Sequence, residues 1–223
     1  MSPPGPGILF GEVVAMTRGA LRSGPRDVGM SPPAAELLFA LQGTHAVADP
    51  DTRACLVRAV TREHARRIER LRAPMVAATA GSARVRDWVH CLVRPVTEHL
   101  EVLGNPTWYA RFCAQLLKDP ALHDATVDVS LAQSPSLRAL LHGLECCLPG
   151  LPAHTHFERA TMARYLIVQA CAERETALCE DTSTLWSSWD GLAAGLVDGI
   201  TGLWEAPVTH AASRASGPPP HFH

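Results

Sequence analysis

From about residue 49 to residue 205 the apolar residues recur every three or four positions, the spacing of one face of successive α-helices. The first stretch sets Leu56, Val60, His64, Ile68, Leu71 and Met75 on one side. Arg58, Arg62, Glu63, Arg66, Arg67, Glu69 and Arg70 fall on the other. The second, from Val85, turns Trp88, Val89, Leu92, Val96, Leu100 and Leu103 inward, with Pro95 in its middle. A proline there removes a backbone donor and crowds the carbonyl four residues back, so a bend is expected near Cys91–Pro95. The third carries Trp108, Tyr109, Phe112, Leu116 and Leu117, the most aromatic face in the chain. Leu122, Ala125 and Val129 mark a fourth, and Leu137, Leu140, Leu141, Leu144 and Leu148 a fifth.

A long helix over His154–Glu180 is expected to bury Phe157, Met162, Tyr165, Leu166, Ala170 and Leu178. Its outward face is read as Arg159, Arg164, Glu173, Arg174 and Glu175. The last helix, Thr184–Glu205, has Trp189, Leu192, Leu196, Ile200 and Leu203 in one stripe and Gly191, Gly195 and Gly199 in the stripe beside it. Glycine inside a helix costs up to about 1 kcal/mol relative to alanine, so this stripe makes sense where another helix packs closely.

The boundaries agree with an all-α chain. Asp49-Pro50, Asn105-Pro106, Asp119-Pro120 and Ser134-Pro135 each set a capping side chain before a proline in the first turn, where its missing N–H costs nothing. Pro74 and Gly81 are expected to end the first helix, Ser82 to cap the second, Gly104 to end it, and Asp181 or Ser183 to cap the last. Residues 1–48 read differently: a Pro/Gly-rich start, two candidate short helices at Ile8–Leu21 and Pro33–Leu41, and a loop between them. The expected division is residues 1–48, a helical domain over residues 49–206, and a disordered tail at 207–223.

Composition narrows the function. Twenty basic against 22 acidic residues give a net charge of -2, and Lys118 is the one lysine. That balance gives no bulk attraction to nucleic acid. The arginine run of the first helix reads as a solvated face, with a phosphate-contacting strip as the sharper alternative. No apolar run reaches 18 residues and no signal peptide is read, so no membrane partner, a cytoplasmic location and reduced cysteines are expected.

His142, Cys146, Cys147, His154 and His156 lie close in sequence, but adjacent cysteines diverge on a helix and no C-x₂-C is present. His90 and Cys91 diverge likewise, against a base and nucleophile; His99 follows on the same helix. With no nucleophile elbow, phosphate loop, dinucleotide motif or metalloprotease motif, the expectation is no enzyme, no metal and no cofactor.

The succession LVRAVTREHARRIERLR (56–72), RDWVHCLVRPVTEHL (86–100), NPTWYARFCAQLLKDPAL (105–122), PSLRALLHGLECCLPGLP (135–152), ERATMARYLIVQACAERE (158–175) and GLAAGLVDGITGLWEAPV (191–208) resembles the ligand-binding and dimerisation region of tetracycline-repressor-type (TetR family) transcriptional regulators. The likeness covers residues 52–208. In place of the family's tyrosine-histidine-phenylalanine-like segment stands GTHAVADPDTRACL, and the helix-turn-helix wording is missing before it. The resemblance implies a helical bundle with an internal effector pocket and a dimer built by the last two helices.

Read onto this chain, the pocket for a small hydrophobic effector takes Trp88, Leu92, Pro95, Val96, Phe112, Leu116, Leu141 and Leu166. The homodimer interface takes Trp189, Gly191, Leu192, Gly195, Leu196, Gly199 and Ile200. DNA is a partner only where residues 1–48 supply a DNA-binding domain. The alternatives are a DNA-binding-deficient protein that heterodimerises with an intact relative and, behind it, a small helical His/Cys metal-dependent enzyme.

Overall fold

The computed structural model describes residues 50–104, 107–118 and 130–208, with side chains in the first segment from Val57 onward. The described residues form an all-α bundle: α1 (Pro50–Thr79), α2 (Val85–Leu103), α3 (Tyr109–Leu116), α4 (Pro135–Cys147), α5 (Ala153–Cys179) and α6 (Trp189–Glu205). Residues 130–133 are also helical. The candidate helices before residue 49, the Asn105-Pro106 and Asp119-Pro120 openings, the stretch with Leu122, Ala125 and Val129, and the tail beyond residue 208 lie outside the described residues. Among those described, no helix is long and apolar enough to cross a membrane.

Helix α2 is the centre. It packs against α6, α1 and α4; α1 also meets α4, and α5 bridges α3 and α6. With neighbours on three sides, α2 buries Cys91, Val93, Pro95, Thr97 and His99 besides the expected Val85, Trp88, Val89 and Leu100. Leu92, Val96 and Leu103 are half-buried at the edge of the core. A single-stripe reading suits a helix with one wet face, and α2 has little of one.

Pro95 sits inside α2, and the carbonyl it orphans, that of Cys91, is served from another helix: Arg72 Nε donates to it at 3.3 Å. Arg72 is 4% exposed, and its burial lowers its pKa. A proline thus explains a buried arginine. Pro74 does not end α1, which runs on to Thr79. Arg70 and Pro74 are both exposed, so water can satisfy the carbonyl that this proline frees. Gly81, at φ +86°, ends the helix instead.

Two helix starts are capped from a distance, whereas α2 begins after Arg84 with no side-chain cap and the expected Ser82 donates to Asp87 Oδ2 at 2.7 Å instead. Ser134 makes no side-chain cap at α4; Glu69 of α1 accepts from Ser136 N at 2.9 Å and from Ser136 Oγ at 2.6 Å. At α3 the N-cap is Trp108, which has no acceptor. Glu175 of α5 takes over, accepting from Ala110 N at 3.2 Å and Arg111 N at 2.8 Å. Helix α6 begins at Trp189, later than expected, and is capped by Ser188 Oγ through Gly191 N at 2.9 Å rather than by Asp181 or Ser183.

Helix α5 reverses much of the expected orientation, although Glu173 is exposed and Ala170 and Leu178 pack against the core as expected. Arg159, Arg174 and Glu175 are buried, whereas Phe157 is 75% exposed and Met162, Tyr165 and Leu166 are also exposed. Its inner face consists of small and medium residues, Ala163, Ile167, Cys171, Ala172 and Ala177, with polar side chains among them. Those polar groups serve backbone ends. Arg159 donates to the carbonyls of Trp204 and Ala206 at the end of α6, where the helix dipole favours a cation. Arg174 donates to the carbonyls of Trp186 and Ser187, at 3.2 Å for the latter, and lies over the Trp189 ring.

Candidate functional site

The expected pocket residues divide. Trp88, Pro95, Phe112 and Leu116 are buried, and Leu92, Val96 and Leu141 are half-buried against the same core. Leu166 is on the outside of α5. Trp88 is held firmly: its Nε1 donates to Ser82 O at 3.0 Å, and its ring lies so close to Gly143 that a Cβ there would come within 2.6 Å of it. Close packing between α2 and α4 is what this glycine permits.

Where α1, α2 and α3 meet, the chain buries polar rings that the repeat pattern only half disclosed. His64 Nδ1 and His99 Nε2 are 2.7 Å apart, so one ring donates and the other accepts. Tyr109 stacks on His64 with centroids 3.8 Å apart, and Trp108 meets His64 and Phe112 edge-on. His64 stood in the apolar stripe of α1, which was the available signal; its partner on α2 follows from packing alone. Burial, then Arg67 and Arg70, lower the His99 pKa to about 4, with Glu63 opposing. Burial, His99 and Arg67 hold His64 well below its ordinary value. Both rings are therefore neutral at pH 7. His99 is committed to His64 rather than to Cys91, whose thiol hydrogen-bonds with Thr79 Oγ1 at 3.3 Å and is pushed up by burial.

A groove of about 510 Å³ lies between α3 and α5. Ala114, Ala172 and Ala177 line it alongside Arg111, Gln115, Gln169, Glu173 and Thr176. None of the eight expected pocket residues lines this groove. It adjoins the Glu175 cap, since Arg111 both faces the groove and gives its backbone N–H to that carboxylate. It is open to solvent and half polar, with Arg111, Glu173 and Glu180 in its lining, rather than an enclosed apolar pocket.

The expected interface residues divide too. Trp189, Leu192, Leu196 and Ile200 are buried within the protomer, on the stripe of α6 that faces the core. Two ion pairs, Arg86–Asp198 at 2.5 Å and Arg94–Asp190, brace α2 against α6. Gly191 is half-buried, while Gly195 and Gly199 are exposed. A Cβ at Gly199 would meet nothing within 4 Å, and one at Gly195 would come 3.1 Å from Trp186 Nε1. The exposed apolar residues Phe157, Met162, Tyr165 and Leu166 lie on α5, which packs beside α6.

Among the described residues no group of three or more His, Cys, Asp or Glu side chains is arranged to hold a metal. Cys146 Sγ lies 3.7 Å from His142 Nε2 on the exposed side of α4, while His156 points back to the Leu148 carbonyl at 3.4 Å. Burial pushes the Cys113 thiol up to about 12 and raises that of Cys171, so neither supplies a thiolate near neutral pH. The chain matches no known family model, no curated protein and no solved structure.

Proposed function

We propose that the protein is a helical regulator of the tetracycline-repressor type that works as a homodimer through α5 and α6 and senses a small ligand. The observation that carries this reading is the set of large apolar side chains Phe157, Met162, Tyr165 and Leu166 left exposed on α5, the helix that packs on α6, where the space beyond Gly199 is open. A cluster of large apolar side chains facing water marks an interaction surface, and glycines let a second helix approach closely. The buried stripe of α6 belongs to the protomer core; the pairing surface is its opposite, glycine-bearing side together with α5. The ligand seat favoured by the geometry is the α3/α5 groove, whose alanines and polar residues suit a small amphipathic molecule. Any operator contact falls to residues 1–48.

Light scattering of the full chain tests the dimer. The wild type is expected at twice the protomer mass at micromolar concentration. Leu166→Glu and Gly199→Arg are each expected to give monomers with unchanged helical circular dichroism, because Leu166 is exposed and the space beyond Gly199 is open. A monomeric wild type, or variants that still dimerise, overturns the reading.

A further inference from the structure

We propose that the solvent face of α1 is a sequence-independent seat for the phosphate backbone of a nucleic acid duplex. Arg58, Arg62, Arg66 and Arg70 repeat every four residues on that face, and all four are exposed. At 1.5 Å per residue they span about 18 Å in steps of about 6 Å. Over that length one strand of a duplex presents about five phosphates.

Among the described residues, the two carboxylates of this helix are bonded elsewhere rather than to the stripe. Glu69 caps α4 through Ser136, and Glu63 pairs with Arg67 at 2.9 Å. Among the described residues Arg58, Arg62 and Arg70 have no acidic partner, and Arg66 donates only to Gln133 Oε1 at 3.0 Å. The complete helix carries seven arginines against three carboxylates, although the chain as a whole is at -2. Of these arginines, Arg58, Arg62, Arg66 and Arg70 are exposed, whereas Arg72 is buried and Arg67 is paired with Glu63.

The chemistry selects among polyanions. A lipid-binding face interleaves its cations with large apolar side chains that enter the bilayer boundary. The exposed residues that continue this face toward its end are Ala73, Pro74, Ala77 and Ala78, which are too small for that. Guanidinium forks at a regular pitch fit phosphodiesters, whose two non-bridging oxygens each accept one of two parallel N–H bonds. The surface reads no bases, so it positions without specifying. It stands apart from the α5/α6 surface, and its failure would leave the dimer reading untouched.

Fluorescence anisotropy with a duplex of arbitrary sequence and the full chain is the test. Four neutralised phosphates give a log–log salt slope of about -3.6, so affinity falls about a hundredfold between about 50 and about 200 mM salt. The triple variant Arg58→Gln/Arg62→Gln/Arg70→Gln is expected to lower the magnitude of that slope by about 2.7 with its circular dichroism unchanged. Arg84→Gln, an exposed arginine off the stripe, is expected to leave binding as in the wild type. Absence of binding at low salt, or an unchanged slope in the triple variant, overturns the proposal. So does tighter binding to phosphatidylserine vesicles or polyglutamate than to the duplex, which would assign the face to a membrane or an acidic protein.

Discussion

Acid should unfasten the junction of α1, α2 and α3 through the His64–His99 pair. The bond between the two rings needs one proton between them, and a proton on both rings destroys it. His99 is 3% exposed and its pKa stands at about 4 in the folded chain, against about 6.5 when unfolded. A base with a lowered folded pKa binds fewer protons folded than unfolded between those values, so stability rises with pH there. The contribution is complete above about pH 6.5 and is lost as pH falls toward about 4. A gap of about 2.5 units corresponds to about 3 kcal/mol, roughly three-quarters of it lost by about pH 4.5.

His64, held low by the same burial and by His99 and Arg67, titrates with its partner and adds to the effect. Glu175 works the other way: burial raises its pKa, so the folded state gains relative stability as this carboxyl takes up a proton. The assay must therefore be differential. Urea unfolding followed by tryptophan fluorescence between about pH 7.5 and about pH 4.5 is expected to show the wild type losing about 2 to 3 kcal/mol more than His99→Gln, which places an amide near the Nε2 position without the titration. Parallel stability curves for the two proteins would refute the reasoning.

Arg72→Met is expected to cost about 1 to 3 kcal/mol by leaving the Cys91 carbonyl unpaired. In a Pro95→Ala background the restored N–H can serve that carbonyl, so a double-mutant cycle in urea should return about 1 kcal/mol of coupling, and strict additivity would disprove the assignment. Gly143→Ala is expected to lower stability by about 1 to 3 kcal/mol, because the new methyl meets a Trp88 ring fixed by its bond to Ser82. An unchanged thermal midpoint would show that the ring gives way.

The helical class and much of the core were legible because burial and periodicity coincide in α1, α4 and α6. Ile68, Leu140, Leu144, Leu192 and Ile200 are all buried as their spacing implies. Caps were less legible. A local rule finds Ser134, yet the groups that satisfy α4 and α3 are Glu69 and Glu175, which come from other helices and are invisible to a window of sequence. Arg72 shows the same limit: nothing around it predicts burial, and only Pro95, on the next helix, explains it. The site suffered most, since Leu166 was assigned inward and the α3/α5 groove is lined by residues that spacing assigns to no function.

The inversion of α5 has one physical cause, and it joins the parts of the proposed sensor. Burying an arginine or a glutamate is costly unless each finds hydrogen-bond partners, and here Arg159 and Arg174 find carbonyls at the end and start of α6 while Glu175 finds the amides of α3. Those bonds fix the rotation of α5 about its axis. The same rotation turns Tyr165 and Leu166 to the outside and Ala172 and Thr176 into the groove. A molecule seated there touches Arg111, whose amide and side chain both rest on Glu175, so its binding bears on the bond that sets the rotation. If two rotations of α5 bind that molecule with different affinity, occupancy of the groove changes the apolar surface offered to a second copy. Glu175→Gln should then weaken the coupling between ligand and dimer more than it weakens either event alone, whereas equal losses in all three would separate the groove from the interface.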